Sequence, residues 1–104
     1  MSQPALWIGL VEMKPLNRAA YGAAGAFTNI ITWACDLEDF QSKAEVIAAE
    51  LKMYVADVED AEPLSERLEK CSLPEDLEEL AAQAESIPNA ILYGTFHTYP
   101  FDTA

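Results

Sequence analysis

Three features of this chain predict a two-layer α+β sandwich, a four-stranded sheet with two main helices on one face in the order ββαβαβ. First, sixteen of the eighteen acidic side chains lie between Asp36 and Glu85, opposed there by four of the six basic ones. The whole net charge of −12 therefore sits in the middle. Second, the flanks are neutral and rich in β-branched and aromatic residues, as in LWIGLVEM, GAFTNIITWAC and ILYGTFHTYPF. Third, apolar residues in the acidic middle recur at helical spacing. A length of 104 residues suits one domain spanning 1–104 with a single core.

Ala5 to Met13 reads as a strand closed by Lys14-Pro15, apolar on both sides, with Leu6, Ile8 and Leu10 alternating with Trp7, Val11 and Met13. The stretch PLNRAAYGAAG from Pro15 to Gly25 is broken by proline and glycine and predicts a connection with at most one helical turn. Ala26 to Cys35 is a second strand, with Phe27, Ile31, Trp33 and Cys35 on one face and Thr28, Ile30 and Thr32 on the other. Asp36 then caps an amphipathic helix along Leu37, Phe40, Ala44, Ile47 and Leu51, and Glu38 and Asp39 complement its N-terminal dipole.

MYVADVE follows as an edge strand, whose Asp57, Glu59 and Asp60 discourage pairing with another chain. Pro63 opens a short helix through Leu64, Leu68 and Cys71. Ser72-Leu73-Pro74-Glu75 has the form of a capping box that starts a longer helix along Leu73, Leu77, Leu80, Ala84 and Ile87, stopped by Pro88-Asn89. The last strand, Ala90 to Tyr99, alternates: Leu92 and Phe96 face one way, and Ile91, Tyr93, Thr95, His97 and Tyr99 the other. Pro100 ends it. The order resembles a ferredoxin-like split, with a glycine-broken connection in place of that fold's first helix, and a ferredoxin-like variant is the implied architecture.

Two helices on one side leave the opposite sheet face uncovered and partly apolar. Such a face becomes an interface or a pocket wall, so the expected assembly is a homodimer that covers it. The sharper expectation is a ligand pocket there around Tyr93, His97 and Tyr99, with Trp7 or Trp33 in support. His97 is the one histidine of the chain, and an imidazole is the natural candidate for a general base near neutral pH. No carboxylate is fixed beside it by local sequence; Asp102 is near in sequence but lies beyond Pro100.

Other chemistry finds little footing. Cys35 and Cys71 lack CxxC spacing and, with one histidine, make no zinc site. DVEDAEP lacks the glycine and spaced oxygens of a calcium loop. YGAAGAF has neither a P-loop lysine nor a dinucleotide-binding glycine triplet. No cofactor and no metal are indicated, and catalysis is the less favoured reading. Direct nucleic-acid binding is disfavoured by the charge. The apolar run after Pro4 is broken by Glu12 and Lys14, far short of the roughly 20 residues of a membrane span, so a cytoplasmic protein is the expectation.

The acidic middle serves solubility and helix pairs such as Glu66 with Lys70. It also offers a docking face for a basic protein partner, formed by Asp57, Glu59, Asp60, Glu62, Glu75, Asp76, Glu78 and Glu79. The function these residues support is a small, acidic, non-catalytic interaction module. The alternative is a small-molecule binder or cofactor-independent enzyme with its pocket around His97.

Overall fold

The computed structural model describes residues 3–17, 23–87 and 90–99. Its elements are β1 (Ala5–Pro15), β2 (Gly25–Ala34), α1 (Leu37–Glu50), β3 (Met53–Pro63), α2 (Leu64–Lys70), α3 (Glu75–Ser86), β4 (Ile91–Tyr93) and β5 (His97–Tyr99). The chain is a small α+β fold, a five-stranded antiparallel sheet with three helices. The strands run in the order β3-β1-β2-β4, and β5 also pairs with β2. The middle of the Pro15–Gly25 connection, and the prolines and asparagine read as stops at 88, 89 and 100, lie outside the described residues.

The sheet has five strands rather than four because its last row is interrupted. Tyr93 pairs with Ile30, and His97 pairs with Phe27, so Gly94, Thr95 and Phe96 span a stretch of β2 too short to take them in regular register. Backbone groups on both sides of β4 are satisfied by β2. Thr28 Oγ1 donates to the Gly94 carbonyl at 3.1 Å, Thr32 Oγ1 donates to the Ala90 carbonyl at 2.8 Å, and the Gly94 N–H donates to Asn29 at 3.0 Å. Both threonines are fully buried, which is tolerable because their hydroxyls are used.

Helices cover both faces, not one. Directly paired residues share a face, so Val11 and Met13 of β1 lie with Ala26, Thr28 and Ile30 of β2. On this side Phe40, Ala44, Ile47 and Ala48 of α1 complete a core with Val11, Met13, Ile30 and Ala34. On the other side Ile8 and Ile31 pack against Leu64 of α2 and Leu77, Ala81 and Ala84 of α3. The two-layer arrangement fails for a reason written in β1. A strand apolar on both sides cannot leave either of them wholly to water, and burying one leucine- or isoleucine-sized side chain is worth about 1.5–3 kcal/mol.

The connections follow from this. β2 and β3 are parallel with β1 between them, a split βαβ around α1, whereas β3 and β4 are antiparallel, so α2 and α3 form no parallel crossover. The chain thus opens with a hairpin rather than the βαβ of a ferredoxin-like fold. β3 is the expected edge strand, but it is longer than MYVADVE and carries two register shifts, opposite Ile8/Leu10 and Glu12/Met13. Asp60 at the first takes a positive φ of 53°. The bulges twist an exposed edge away from foreign strands, as its acids do.

The local signals held unevenly. Asp36 caps α1 as the sequence predicts, accepting from the Asp39 N–H at 2.8 Å. Asp39 in turn accepts from the Cys35 N–H at 2.9 Å, and that bond, with Lys43 nearby, holds its carboxyl below the usual range. The capping box at Ser72 does not form. α3 starts at Glu75 with Pro74 at its cap and no side-chain cap bond. Lys70 binds Glu62 instead of Glu66. Cys35 and Cys71 are free thiols.

Helix α1 rests on β1 at Gly9. A methyl group there would stand 2.8–2.9 Å from the Phe40 ring and 2.9 Å from the Ala61 methyl, inside van der Waals contact. Gly9→Ala is expected to destabilise the fold by roughly 1–3 kcal/mol in denaturant unfolding, the usual cost of overpacking a core. Unchanged stability would mean that Phe40 does not seat on Gly9.

Candidate functional site

Helices α2 and α3 cover only one end of their sheet face. Across it the side chains form rows. Glu62, Ile8, Ile31 and Leu92 make one row under the helices, and below it come Glu59, Leu10 and Asn29, beside which Leu77 and Leu80 of α3 reach Gly94, then Asp57, Glu12, Phe27 and His97. Beyond these, Tyr54 stands opposite Lys14 and Tyr99 opposite Gly25. Tyr54, Asp57, Glu59 and His97 are exposed, while Leu10, Glu12, Lys14, Phe27, Asn29 and Tyr99 are partly so. This half-face is where the structure leaves polar and aromatic groups together on a rigid sheet.

Tyr99 organises it. Its ring crosses over Gly25, where a Cβ would come within 2.7 Å of the phenol carbon, so glycine is what lets the ring lie flat on β2. The hydroxyl donates to Glu12 Oε2, and the ring packs on Phe27 with centroids 5.6 Å apart. The Tyr99 carbonyl accepts from the Ala24 N–H at 3.0 Å, which ties down the strand end. Hydrogen bonding to the Glu12 carboxylate, then burial, then the negative charge of Glu12 push the phenol up to about 12.

The sequence-predicted pocket is only partly assembled. His97 and Tyr99 share the half-face with Phe27, but Tyr93 lies on the opposite face, where its ring meets Phe96 edge-on at 5.3 Å. The bulge at Gly94–Phe96 shifts the alternation by one residue, so the single face assigned to Tyr93, His97 and Tyr99 is split. Leu92 and Phe96 likewise belong to different cores. Trp7 packs towards Phe40 at 6.3 Å on the α1 side, and Trp33 lies under α3, its Nε1 donating to the Ala84 carbonyl at 2.8 Å. Neither borders His97. Among the described residues His97 makes no ion pair with a carboxylate, and Asp102 lies outside them.

The predicted acidic face also divides. Asp57 and Glu59 belong to the open half-face. Glu62 is held by Lys70 and Arg67, and the hydrogen bond from Lys70, then that from Arg67, keeps its carboxyl below the usual range. Arg67 also donates to the Asp60 carbonyl at 2.6 Å, bracing the bulge. Glu75, Asp76, Glu78 and Glu79 remain exposed on the first turns of α3. Among the described residues no three histidine, cysteine or acidic side chains are grouped so as to hold a metal ion. No described helix is long and apolar enough to cross a membrane.

Sequence reasoning missed Glu12, Phe27 and Tyr54 as members of one surface. The signal was present in β1: along one face the residues run Leu6, Ile8, Leu10, Glu12, Lys14, and the change from apolar to charged marks where the helical cover stops. In comparisons with known proteins the chain matches no family model, and no curated protein or solved structure resembles it significantly.

The pairing of Tyr99 with Glu12 favours the neutral phenol, so its contribution to stability is fully present below the ordinary tyrosine value of 10.0 and is lost as pH rises through about 12. In an ultraviolet titration of the tyrosines, one is expected to ionise near 12, and Glu12→Gln is expected to move it back towards 10.0. A Glu12→Gln variant with an unmoved titration curve would rule out the bond as its cause.

Proposed function

We propose that the protein is a non-catalytic interaction module that docks a basic protein segment on the open half of its sheet face. The observation that carries this reading is the placement of Glu12, Asp57 and Glu59 in adjoining rows with the rings of Phe27, Tyr54 and Tyr99. Carboxylates attract lysine and arginine by charge, and aromatic faces attract the same cations through the ring quadrupole. The −12 of the whole chain adds a long-range field that speeds encounter with a cationic partner and repels phosphate backbones.

Charge also ranks the candidate occupants. In a symmetric dimer through this face the same patch meets itself, bringing one acidic surface against another. Among the described residues Lys14 is the fixed cation of the face, against three carboxylates. A cationic segment meets no such repulsion. The alternative of a small-molecule pocket draws support from His97 and Tyr99 flanking Phe27 on one face.

A lysine-rich peptide is expected to bind with an affinity that falls steeply as salt is raised, because exposed charge pairs are screened beyond about 10 Å at 0.1 M ionic strength. The double variant Glu12→Gln, Asp57→Asn is expected to weaken binding about three- to tenfold while the fold is retained. Calorimetric titration at low and high salt checks both. Binding indifferent to salt, or absent, would overturn the proposal, and concentration-dependent sedimentation of the free protein, strengthened by the same double variant, would replace it with self-association through this face.

A further inference from the structure

A second recognition element lies at the covered end of the same sheet face. Between α2, α3 and the paired ends of β1 and β2 is a groove of about 440 Å³. Leu6, Trp33, Leu64 and Leu68 form its apolar walls, and Ser65 and Glu85 stand among its lining residues. The polar end of Trp33 is already committed to the Ala84 carbonyl, so the ring presents apolar surface. Leu64 is 6 % exposed and belongs to the core under α2 and α3, whereas Leu68, one turn further along α2, is 52 % exposed. The groove is thus a continuation of the core that stops one side chain short, with a leucine left in water at its mouth.

The surrounding charge narrows the occupant. The two cations of α2, Arg67 and Lys70, are both taken by Glu62. Glu85 is the one charged side chain among the described lining residues, and it enters none of the described ion pairs. An apolar site with a carboxylate in its wall fits an apolar side chain carried between lysines or arginines, and disfavours one carried between acids. Resting on the docking proposed above, we infer that the Trp33 groove seats a bulky apolar side chain of the same basic segment, as its anchor. Charge on the half-face steers the partner, and the groove selects among basic partners for those with an apolar residue to insert.

Two capped peptides test this by calorimetry: one of alternating lysine and serine with a central leucine, and one with serine in that place. The leucine peptide is expected to bind about tenfold tighter, the worth of burying one such side chain. Leu68→Ser, a change at an exposed position, is expected to erase that difference and leave the serine peptide's affinity as it was. Asp57→Asn is expected to weaken both peptides alike. Equal affinity of the two peptides for the unaltered protein would overturn the anchor and leave the basic docking standing. A leucine advantage that survives Leu68→Ser would place the anchor elsewhere and also overturn it. Failure of both peptides to bind would overturn the docking on which it rests.

Discussion

The structure depends on one constraint: β1 and β2 are central strands that need burial on both sides. Ile8 and Ile31 point one way and Val11 and Ile30 the other, and all four are completely buried. No single helical layer meets that demand, so α1 goes to one face and α2 with α3 to the other. The available helix is unequal to the area. α1 of fourteen residues lies over a face whose β1 residues stay apolar to Met13, whereas α3 of twelve, helped by the short α2, covers the other face over the Ile8 row and reaches Gly94 in the next. What is left over is the half-face of Glu12, Phe27 and Tyr99.

The edge of the sheet sets what that half-face contains. A regular last strand would have put Tyr93, His97 and Tyr99 side by side. The bulge at Gly94–Phe96, fastened by the buried Thr28 hydroxyl on the Gly94 carbonyl, sends Tyr93 to the α1 side and keeps His97 and Tyr99 beside Phe27. The same bulge turns Phe96 into the α1 core while Leu92 serves the other. One extra residue thus supplies an apolar group to each core and decides which aromatic rings meet the carboxylates of β1 and β3.

Much of the fold was legible in the sequence, where local chemistry decides it. Composition marked β1 and β2, Asp36 marked the start of α1, and the acids of β3 marked an edge. What local chemistry does not decide was misread. The division of helices between faces is a global matter of area, although the two-sided apolar pattern of β1 argued for it. The bulge is fastened by Thr28 reaching across to Gly94, which no pattern within Ala90 to Tyr99 reveals. Of the candidate site, His97, Tyr99, Asp57 and Glu59 were legible by type, and their neighbour Glu12 only by the switch along one face of β1. Glu62 looked like free surface charge because Arg67 and Lys70 reach it across a strand-to-helix turn.

The charge partition takes its meaning from this arrangement. Exposed acid lies on the first turns of α3 and along β3, and the cations of α2 are spent on Glu62 and the Asp60 bulge. The half-face and the groove both follow from helices occupying both faces of the sheet. Methyl and aromatic nuclear Overhauser contacts measure this directly: Ile8 and Ile31 should contact Leu77 and Ala81 of α3, and Val11 and Ile30 should contact Phe40 and Ala44 of α1. Contacts from α1 and α3 to the same residues of β1 would contradict it.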